Sequence, residues 1–131
     1  RVNQPEAERR DFFLFIDEFH NFTTDAFASI LSEARKYRLC IALSHQYIEQ
    51  VPPTVRSAVF GNVGSLVSFR VGYSDAEELH KEFGETYALE TFTSLDRYEV
   101  IARLAENGRT REPFRARTLA RFLINSFSAR K

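Results

Sequence analysis

The sequence predicts an α/β fold in which parallel strands are flanked by helices, with an antiparallel β-hairpin towards the C-terminus. Two short, largely apolar runs, residues 11–16 and 39–43, are separated by a segment in which apolar residues recur at helical spacing. This order is the pattern of a β-α-β unit. Asn107-Gly108 lies between two strand-like segments, and this dipeptide is typical of a tight hairpin turn. A chain of 131 residues with 44% hydrophobic residues is long enough to bury a core.

The first strand is predicted over residues 11–16 and is followed by two adjacent carboxylates, Asp17 and Glu18. Its five consecutive apolar side chains leave no polar face, which favours a parallel sheet that is covered on both sides. An interior strand rarely ends in two acids unless they manage a cation or a proton. The pair is therefore predicted to be functional, and the alternative is two surface carboxylates at the start of a loop.

The next helix and strand are expected to bring an amide to the same edge of the sheet. Thr24 or Asp25 can cap a helix whose apolar residues share one face. The members of that face are Phe27, Ile30, Leu31, Ala34 and Tyr37. The strand over residues 39–43 is followed by Gln46. Because the carboxyl ends of parallel strands meet at one edge, Gln46 is expected beside the acid pair; an ordinary polar strand end is the alternative.

In the middle of the chain, the sequence predicts a short helix, a strand and a second helix. The short helix follows Pro53 over residues 54–60, since proline is favoured at the start of a helix. The strand is predicted over residues 65–71. Ser74 and Glu77 have the spacing of a capping box, which places the start of the second helix at Ser74.

The tail is predicted to form a hairpin with strands over residues 97–104 and 110–118. A last amphipathic helix is predicted from four apolar residues: Leu119, Phe122, Leu123 and Phe127. From residue 97 onward there are nine Lys/Arg against three Asp/Glu, although the whole chain has 18 of each. This basic tail either faces phosphate or is a solvated strand face, and the second interpretation is favoured.

The single cysteine and the lack of a long apolar stretch indicate the cellular compartment of the protein. Cys40 has no partner for a disulfide within the chain, which fits a reducing compartment and therefore a cytoplasmic protein. No stretch approaches the roughly 20 apolar residues of a membrane helix. The chain begins at Arg1 and contains no Met, so it is interpreted as part of a longer protein. Contact with a bacterial inner membrane would require segments outside this chain.

The acid pair suggests the chemistry of a nucleoside-triphosphate hydrolase. In such enzymes the first acid holds Mg²⁺ and the second activates the attacking water. Asp17 is then the metal-binding residue, acting through water, and Glu18 is catalytic. The Gln46 amide could reach the γ-phosphate or the attacking water. Arg35, at the end of the helix between the strands, could serve its own site or that of an adjacent subunit, or could be a solvated helix-end cation.

The phosphate-binding loop that this chemistry needs is not part of the sequence. None of the five glycines belongs to a G-x-x-x-x-G-K-[ST] loop. The chain by itself is therefore not expected to cradle a triphosphate.

Four segments taken together carry a family resemblance. They are Phe-Ile-Asp-Glu-Phe-His-Asn-Phe, Ile-Leu-Ser-Glu-Ala-Arg-Lys-Tyr-Arg-Leu, Leu-Ser-His-Gln-Tyr-Ile-Glu-Gln, and Val-Phe-Gly-Asn-Val-Gly-Ser-Leu-Val-Ser-Phe-Arg-Val-Gly with Asp75-Ala76-Glu77. From about Asp11 to Leu119 the chain resembles the C-terminal part of the motor domain of type IV secretion coupling proteins. These are the TraG/TraD-type conjugative DNA-transfer ATPases, which are related to HerA and FtsK.

The resemblance implies a RecA-like P-loop NTPase core whose subunits form a hexameric ring and move DNA with ATP and Mg²⁺. It implies that Asp17 and Glu18 are the Walker B pair, that Gln46 senses the γ-phosphate, and that Arg35 acts across a subunit interface. Residues 1–96 would be the C-terminal half of the ATPase domain, and residues 97–131 a hairpin and helical tail packed on the same domain. A relaxosome or secretion-system protein is an implied partner.

Two other functions stay open at this point. Residues 17–20 also spell the D-E-x-H box of superfamily-two helicases, but those helicases have Ser/Thr-Ala-Thr at the next strand, where this chain has Ser44-His45-Gln46. Alternatively, the chain is a non-catalytic docking module that presents its hairpin and C-terminal helix to a relaxosome-type protein partner.

Overall fold

The computed structural model describes residue 5 and residues 8–119. It contains both helices and strands, and the chain divides into two compact units, Arg1–Val63 and Gly64–Lys131. The sequence placed a boundary between residues 96 and 97, which separates a motor part from a tail by expected function. That functional division stays a prediction. The division between the two compact units falls between Val63 and Gly64.

The first unit is built around a two-stranded parallel sheet, as the β-α-β pattern predicts. Strand β1 pairs with β2 in parallel, with Phe12 opposite Leu39 and Ile16 opposite Leu43. The regular elements of the unit are β1 (Phe12–Ile16), α1 (Asp25–Glu33), β2 (Leu39–Leu43) and α2 (Pro53–Asn62). Three single 3-10 turns connect them, at Phe19–Phe22, Ala34–Tyr37 and Ile48–Gln50.

Helix α1 packs one face towards the core. Thr24 is its N-cap, and the Thr24 hydroxyl accepts a hydrogen bond from the backbone N–H of Phe27 at 3.2 Å, which confirms Thr24 as one of the two predicted caps. The buried core of the unit consists of Phe19, Phe27, Leu31, Val51 and Val55. Ile16, Ile41 and Leu43 pack against this core from the sheet.

The prediction that the parallel sheet is covered on both sides is wrong for the described residues. Successive side chains of a strand point to opposite faces, and the core covers the face that carries Ile16. On the other face, Phe13 is 64% exposed and Phe15 is 77% exposed. The continuous apolar run therefore has one partly covered face and one open face in this unit.

The second unit is built around an antiparallel sheet. Its sheet has the order β3-β4-β7, and a two-stranded ribbon of β5 and β6 extends from it. The elements are β3 (Leu66–Ser68), α3 (Tyr73–Glu82), α4 (Leu89–Thr93), β4 (Glu99–Arg103), β5 (Ala105–Glu106), β6 (Arg109–Thr110) and β7 (Phe114–Arg117). The strand predicted at 65–71 is thus shorter than expected, and it pairs antiparallel with the tail, with Val67 opposite Ala102.

The helices of the second unit cover one side of a compact core. Phe83 and Phe92 lie with their ring centroids 5.5 Å apart, and both are almost completely buried, as is Ile101. The predicted start of α3 at Ser74 is wrong, because the extended residue at the N-cap is Gly72. Ser74 therefore lies inside the first helical turn, where its side chain cannot act as the N-cap.

The predicted hairpin is confirmed. Asn107 and Gly108 have φ values of 52° and 74°, and positive φ at both central residues defines the type I′ turn that suits a two-residue hairpin. Glu106 pairs with Arg109 across this turn. Except for Leu119, the residues of the predicted last helix lie outside the described part of the chain. No helix among the described residues has both the length and the apolar character needed to cross a membrane.

Candidate functional site

The carboxyl ends of β1 and β2 bring the predicted site residues together. The backbone N–H of Ser44 donates to the carbonyl of Ile16 at 3.0 Å, and the N–H of Phe19 donates to the carbonyl of Ser44 at 3.2 Å. These bonds continue the parallel pairing beyond the last strand residues. As a result, the acid pair after β1 faces the polar residues after β2.

Asp17 is held by one of its two carboxylate oxygens. Its Oδ1 accepts a hydrogen bond from the Ser44 hydroxyl at 2.5 Å and another from the Glu18 N–H at 3.0 Å. The side chain is exposed at the sheet edge. Asp17 is thus oriented by its neighbours and still accessible to a ligand.

The side chains of Glu18 and Gln46 contact each other directly. Gln46 Nε2 donates to Glu18 Oε1 at 2.6 Å, across 28 residues of sequence. A hydrogen bond to an ionised carboxylate is stronger than one between neutral groups. The amide therefore fixes the direction of one carboxylate oxygen.

The backbone of Glu18 has an unusual conformation. Its φ and ψ are 50° and 46°, in the left-handed region, which costs a residue with a β-carbon about 1–2 kcal/mol. The Glu18 carbonyl accepts hydrogen bonds from Asn21 N at 3.1 Å and from Asn21 Nδ2 at 3.2 Å. Phe19, which is 2% exposed, anchors the turn in the core. Such strain is common at functional sites because the surrounding structure enforces it.

His45 has a packing role in this arrangement. Its ring meets Phe19 edge-on, with centroids 4.7 Å apart and an interplanar angle of 88°. Phe19 directly follows Glu18, so this aromatic contact packs against the turn that carries Glu18. His45 thus has a packing role at the site.

The comparisons with known proteins leave the site to be interpreted from its own residues. No family model matches this sequence, and no curated protein shows significant similarity to it. The chemistry available at the sheet edge is that of two carboxylates, a hydroxyl and an amide. This set can bind a cation, orient a water molecule and accept a proton.

Asp17 is the residue at this edge that fits a magnesium ion. Mg²⁺ usually binds one or two carboxylates and takes its other ligands from phosphates and water. Among the residues that the structure describes, no group of three or more His, Cys, Asp or Glu side chains is arranged to hold a metal. An ion at Asp17 would therefore take most of its ligands from outside these side chains.

Arg35 lies at the opposite edge of the sheet. It belongs to the 3-10 turn Ala34–Tyr37, which leads into the first residue of β2. The carbonyl of Arg38, at the end of that turn, accepts from the N–H of Phe12 at 3.0 Å. A five-residue strand separates this edge from Asp17 by about 16 Å. The structure thus brings Asp17, Glu18 and Gln46 together but leaves Arg35 apart from them.

The basic tail is partly neutralised by its own acids. Arg115 donates to Glu99 at 2.6 Å, and Arg117 lies 3.9 Å from the same carboxylate. The hydrogen bond from Arg115, followed by the one from the Asp96 N–H, holds the pKa of Glu99 below its usual value. This pairing agrees with the favoured interpretation of a solvated strand face.

Three residues of the site have contacts that sequence reasoning did not predict. Ser44 orients Asp17, Asn21 stabilises the backbone of Glu18, and His20 lies near the Glu18 carboxylate. The contact of Ser44 follows from extending the strand pairing by one residue beyond Ile16 and Leu43. The other two depend on the left-handed turn at Glu18, for which the sequence gives no signal.

Proposed function

We propose that this chain carries the Walker B acids and the γ-phosphate sensor of an ATP-driven motor that translocates DNA. The observation that supports this most directly is the 2.6 Å hydrogen bond from Gln46 to Glu18, beside Asp17 at the carboxyl edge of a parallel strand pair. Ligands of α/β proteins bind at the carboxyl ends of the parallel strands, which is where these three side chains lie. We infer a RecA-like core for the complete motor and a hexameric ring of subunits.

Each residue of the pair has a separate task in this proposal. Asp17 binds the cation of the nucleotide, while Ser44 keeps one of its oxygens oriented. Glu18 accepts the proton of the attacking water, because a positioned carboxylate is a suitable general base. When bound, Mg²⁺ supplies neutralisation of the charge on the transferring phosphoryl group.

Gln46 connects nucleotide state to the general base. Its amide is hydrogen-bonded to Glu18 in this structure. A γ-phosphate that draws the amide towards itself would release Glu18 Oε1 for the attacking water. The loss of the phosphate after hydrolysis would let the amide return, so the position of Gln46 reports whether ATP is present.

Arg35 is assigned to a neighbouring subunit rather than to the site of its own chain. It precedes β2, a strand about 16 Å long whose far end lies beside Asp17, and its side chain is exposed. In a head-to-tail ring, one surface of each subunit contacts a different surface of the next subunit. Arg35 of one copy would then face the acid pair of the next.

A docking role for the tail is the second candidate. Every residue from Ala105 to Glu112 is exposed, and the hairpin borders an open depression of about 580 Å³. Its lining consists of Glu106, Asn107, Arg109, Thr110 and Arg111. This polar surface suits a protein of the relaxosome or secretion system, and it is compatible with motor activity elsewhere in the chain.

The test of the motor proposal is the Glu18→Gln variant in the full-length protein. The amide keeps the size of the side chain but cannot accept a proton, so we expect ATP turnover to fall by at least about 100-fold, with nucleotide binding retained. Glu49→Gln is the matched control, because Glu49 is an exposed acid on the 3-10 turn Ile48–Gln50. Equal turnover by wild type and Glu18→Gln would exclude the proposed role.

A further inference from the structure

His20 lies beside the carboxylate oxygen of Glu18 that Gln46 does not hold. The distance from His20 Nδ1 to Glu18 Oε2 is 3.5 Å, slightly too long for a hydrogen bond. The Nδ1 atom is buried and has no hydrogen-bond partner. A buried polar atom without a partner is unusual in a folded protein, and the nearest carboxylate acceptor here is the proposed general base.

The backbone of His20 is held in a turn beside Glu18. His20 lies in the 3-10 turn Phe19–Phe22, between the buried Phe19 and the Asn21 amide that binds the Glu18 carbonyl. The His20 carbonyl accepts a hydrogen bond from the Thr23 hydroxyl at 2.8 Å. The turn thus keeps the backbone of His20 next to Glu18, and the imidazole lies 3.5 Å from its carboxylate.

We propose that His20 is a positioning residue for Glu18. When the Gln46 amide moves away from Glu18, the Nδ1–H group of His20 donates to Oε2 and keeps the carboxylate in place. Oε1 is then free to accept the proton of water. A base that is itself oriented by a third group is a recurring arrangement in catalysis. This inference rests on the proposed function, because only a hydrolytic role makes the orientation of Glu18 important.

A second donor is needed in the proposed mechanism. Gln46 holds Glu18 Oε1 at 2.6 Å in this structure, and this hydrogen bond is lost when a γ-phosphate draws the amide away from Glu18. Without a second donor, the carboxylate would lose its orientation at the step in which it must act. His20 supplies that donor from the same turn as Glu18, independently of β2.

The kinetic test compares His20→Leu with His20→Asn in the full-length protein. Asparagine retains an N–H donor near the Nδ1 position, whereas leucine retains only bulk. We expect His20→Leu to lower kcat by at least about tenfold with KM for ATP changed less than about twofold, and His20→Asn to recover most of the loss. Unchanged turnover in His20→Leu, or equal losses in both variants, would overturn the inference.

A second measurement needs no nucleotide and uses the same full-length protein. Nitrogen-15 NMR of the histidine ring reports whether Nδ1 donates a hydrogen bond. We expect Gln46→Leu to move the His20 Nδ1 signal towards its hydrogen-bonded value, and the added substitution Glu18→Ala to reverse that change. If neither substitution moves the signal, the contact between His20 and Glu18 is excluded.

The two measurements separate the inference from the proposal on which it rests. A full-length protein without ATP turnover, together with the expected NMR changes, would contradict the motor function and the positioning role but support the contact. Normal ATP turnover without the NMR changes would contradict the inference alone. A lower unfolding temperature shared by His20→Leu and His20→Asn, with parallel losses of kcat, would show a purely structural role and so overturn it.

Discussion

Glu18 combines an unfavourable backbone conformation with a well-placed side chain. Its φ of 50° lies in the left-handed region, and its carboxylate accepts from Gln46 at 2.6 Å. Two hydrogen bonds from Asn21 to the Glu18 carbonyl help to maintain the turn. The turn that presents this carboxylate is therefore strained at Glu18, a feature that is common at functional sites.

This strain predicts an unusual order of stability among Glu18 variants. Glycine adopts the left-handed region freely, whereas alanine keeps the β-carbon that causes the strain. Both substitutions remove the bond to Gln46 equally. We therefore expect Glu18→Gly to be more stable than Glu18→Ala by about 1 kcal/mol, as measured by urea denaturation.

The control for this order is Glu77, an exposed residue inside helix α3. There glycine should be the less stable variant, by about 1 kcal/mol relative to alanine. If Glu18 shows the same order as Glu77, its backbone is not strained and this part of the account fails.

At the scale of residues, the sequence predicted the placement of Asp17, Glu18 and Gln46 better than it predicted their contacts. The run of apolar residues before Asp17 and the β-α-β spacing to Gln46 were enough to place both groups at one edge. The approach of His20 to Glu18 was not predictable, because it depends on the left-handed turn. Nothing in the residue type of Glu18 indicates positive φ.

At the scale of elements, local signals were more reliable than non-local ones. The Asn107-Gly108 turn and the β1-α1-β2 unit follow from nearby residues, and both are present. The partner of β3 was not predictable, since Val67 pairs with Ala102 far along the chain. The exposure of Phe15 likewise depends on which faces are covered, and a run of apolar residues does not encode that.

The hairpin provides a test at the scale of elements. Gly108 has a φ of 74°, so we expect Gly108→Ala to lower the free energy of unfolding by about 1–2 kcal/mol. Gly61 is the control, because it lies in helix α2 and nothing lies within 4 Å of an added β-carbon. Gly61→Ala should raise the free energy of unfolding by up to about 1 kcal/mol.

Thermal or urea denaturation of the two glycine variants measures this contrast directly. A Gly108→Ala variant that is as stable as the wild type, or more stable, would show that the type I′ geometry of the hairpin is not maintained in solution. Because both variants add a single methyl group, differences in hydrophobicity cannot account for opposite signs.

At the scale of the whole molecule, the described chain contains part of the machinery that the proposal needs. The acid pair, the Gln46 amide and the Ser44 hydroxyl are together in the first unit. The triphosphate cradle is not among the 131 residues, since no glycine belongs to a phosphate-binding loop. The proposal therefore assigns ATP turnover and DNA movement to the full-length protein.

The proposed motor and a superfamily-two helicase would act differently on duplex DNA. A superfamily-two helicase would pull the strands of a duplex apart, whereas a coupling-type ring would move along an intact duplex. His20 completes a D-E-x-H box in sequence, but in the structure it lies beside the Glu18 carboxylate. The two activities can be distinguished in one assay.

The central claim is ATP-driven translocation along DNA, and displacement of a third strand from a triplex by the full-length protein tests it most directly. We predict that the wild-type protein removes the third strand with ATP, leaves the duplex paired, and loses this activity in Glu18→Gln. A wild-type protein that releases no third strand, or a Glu18→Gln variant that releases it as fast as wild type, would contradict the claim. Separation of the duplex strands would instead indicate a helicase.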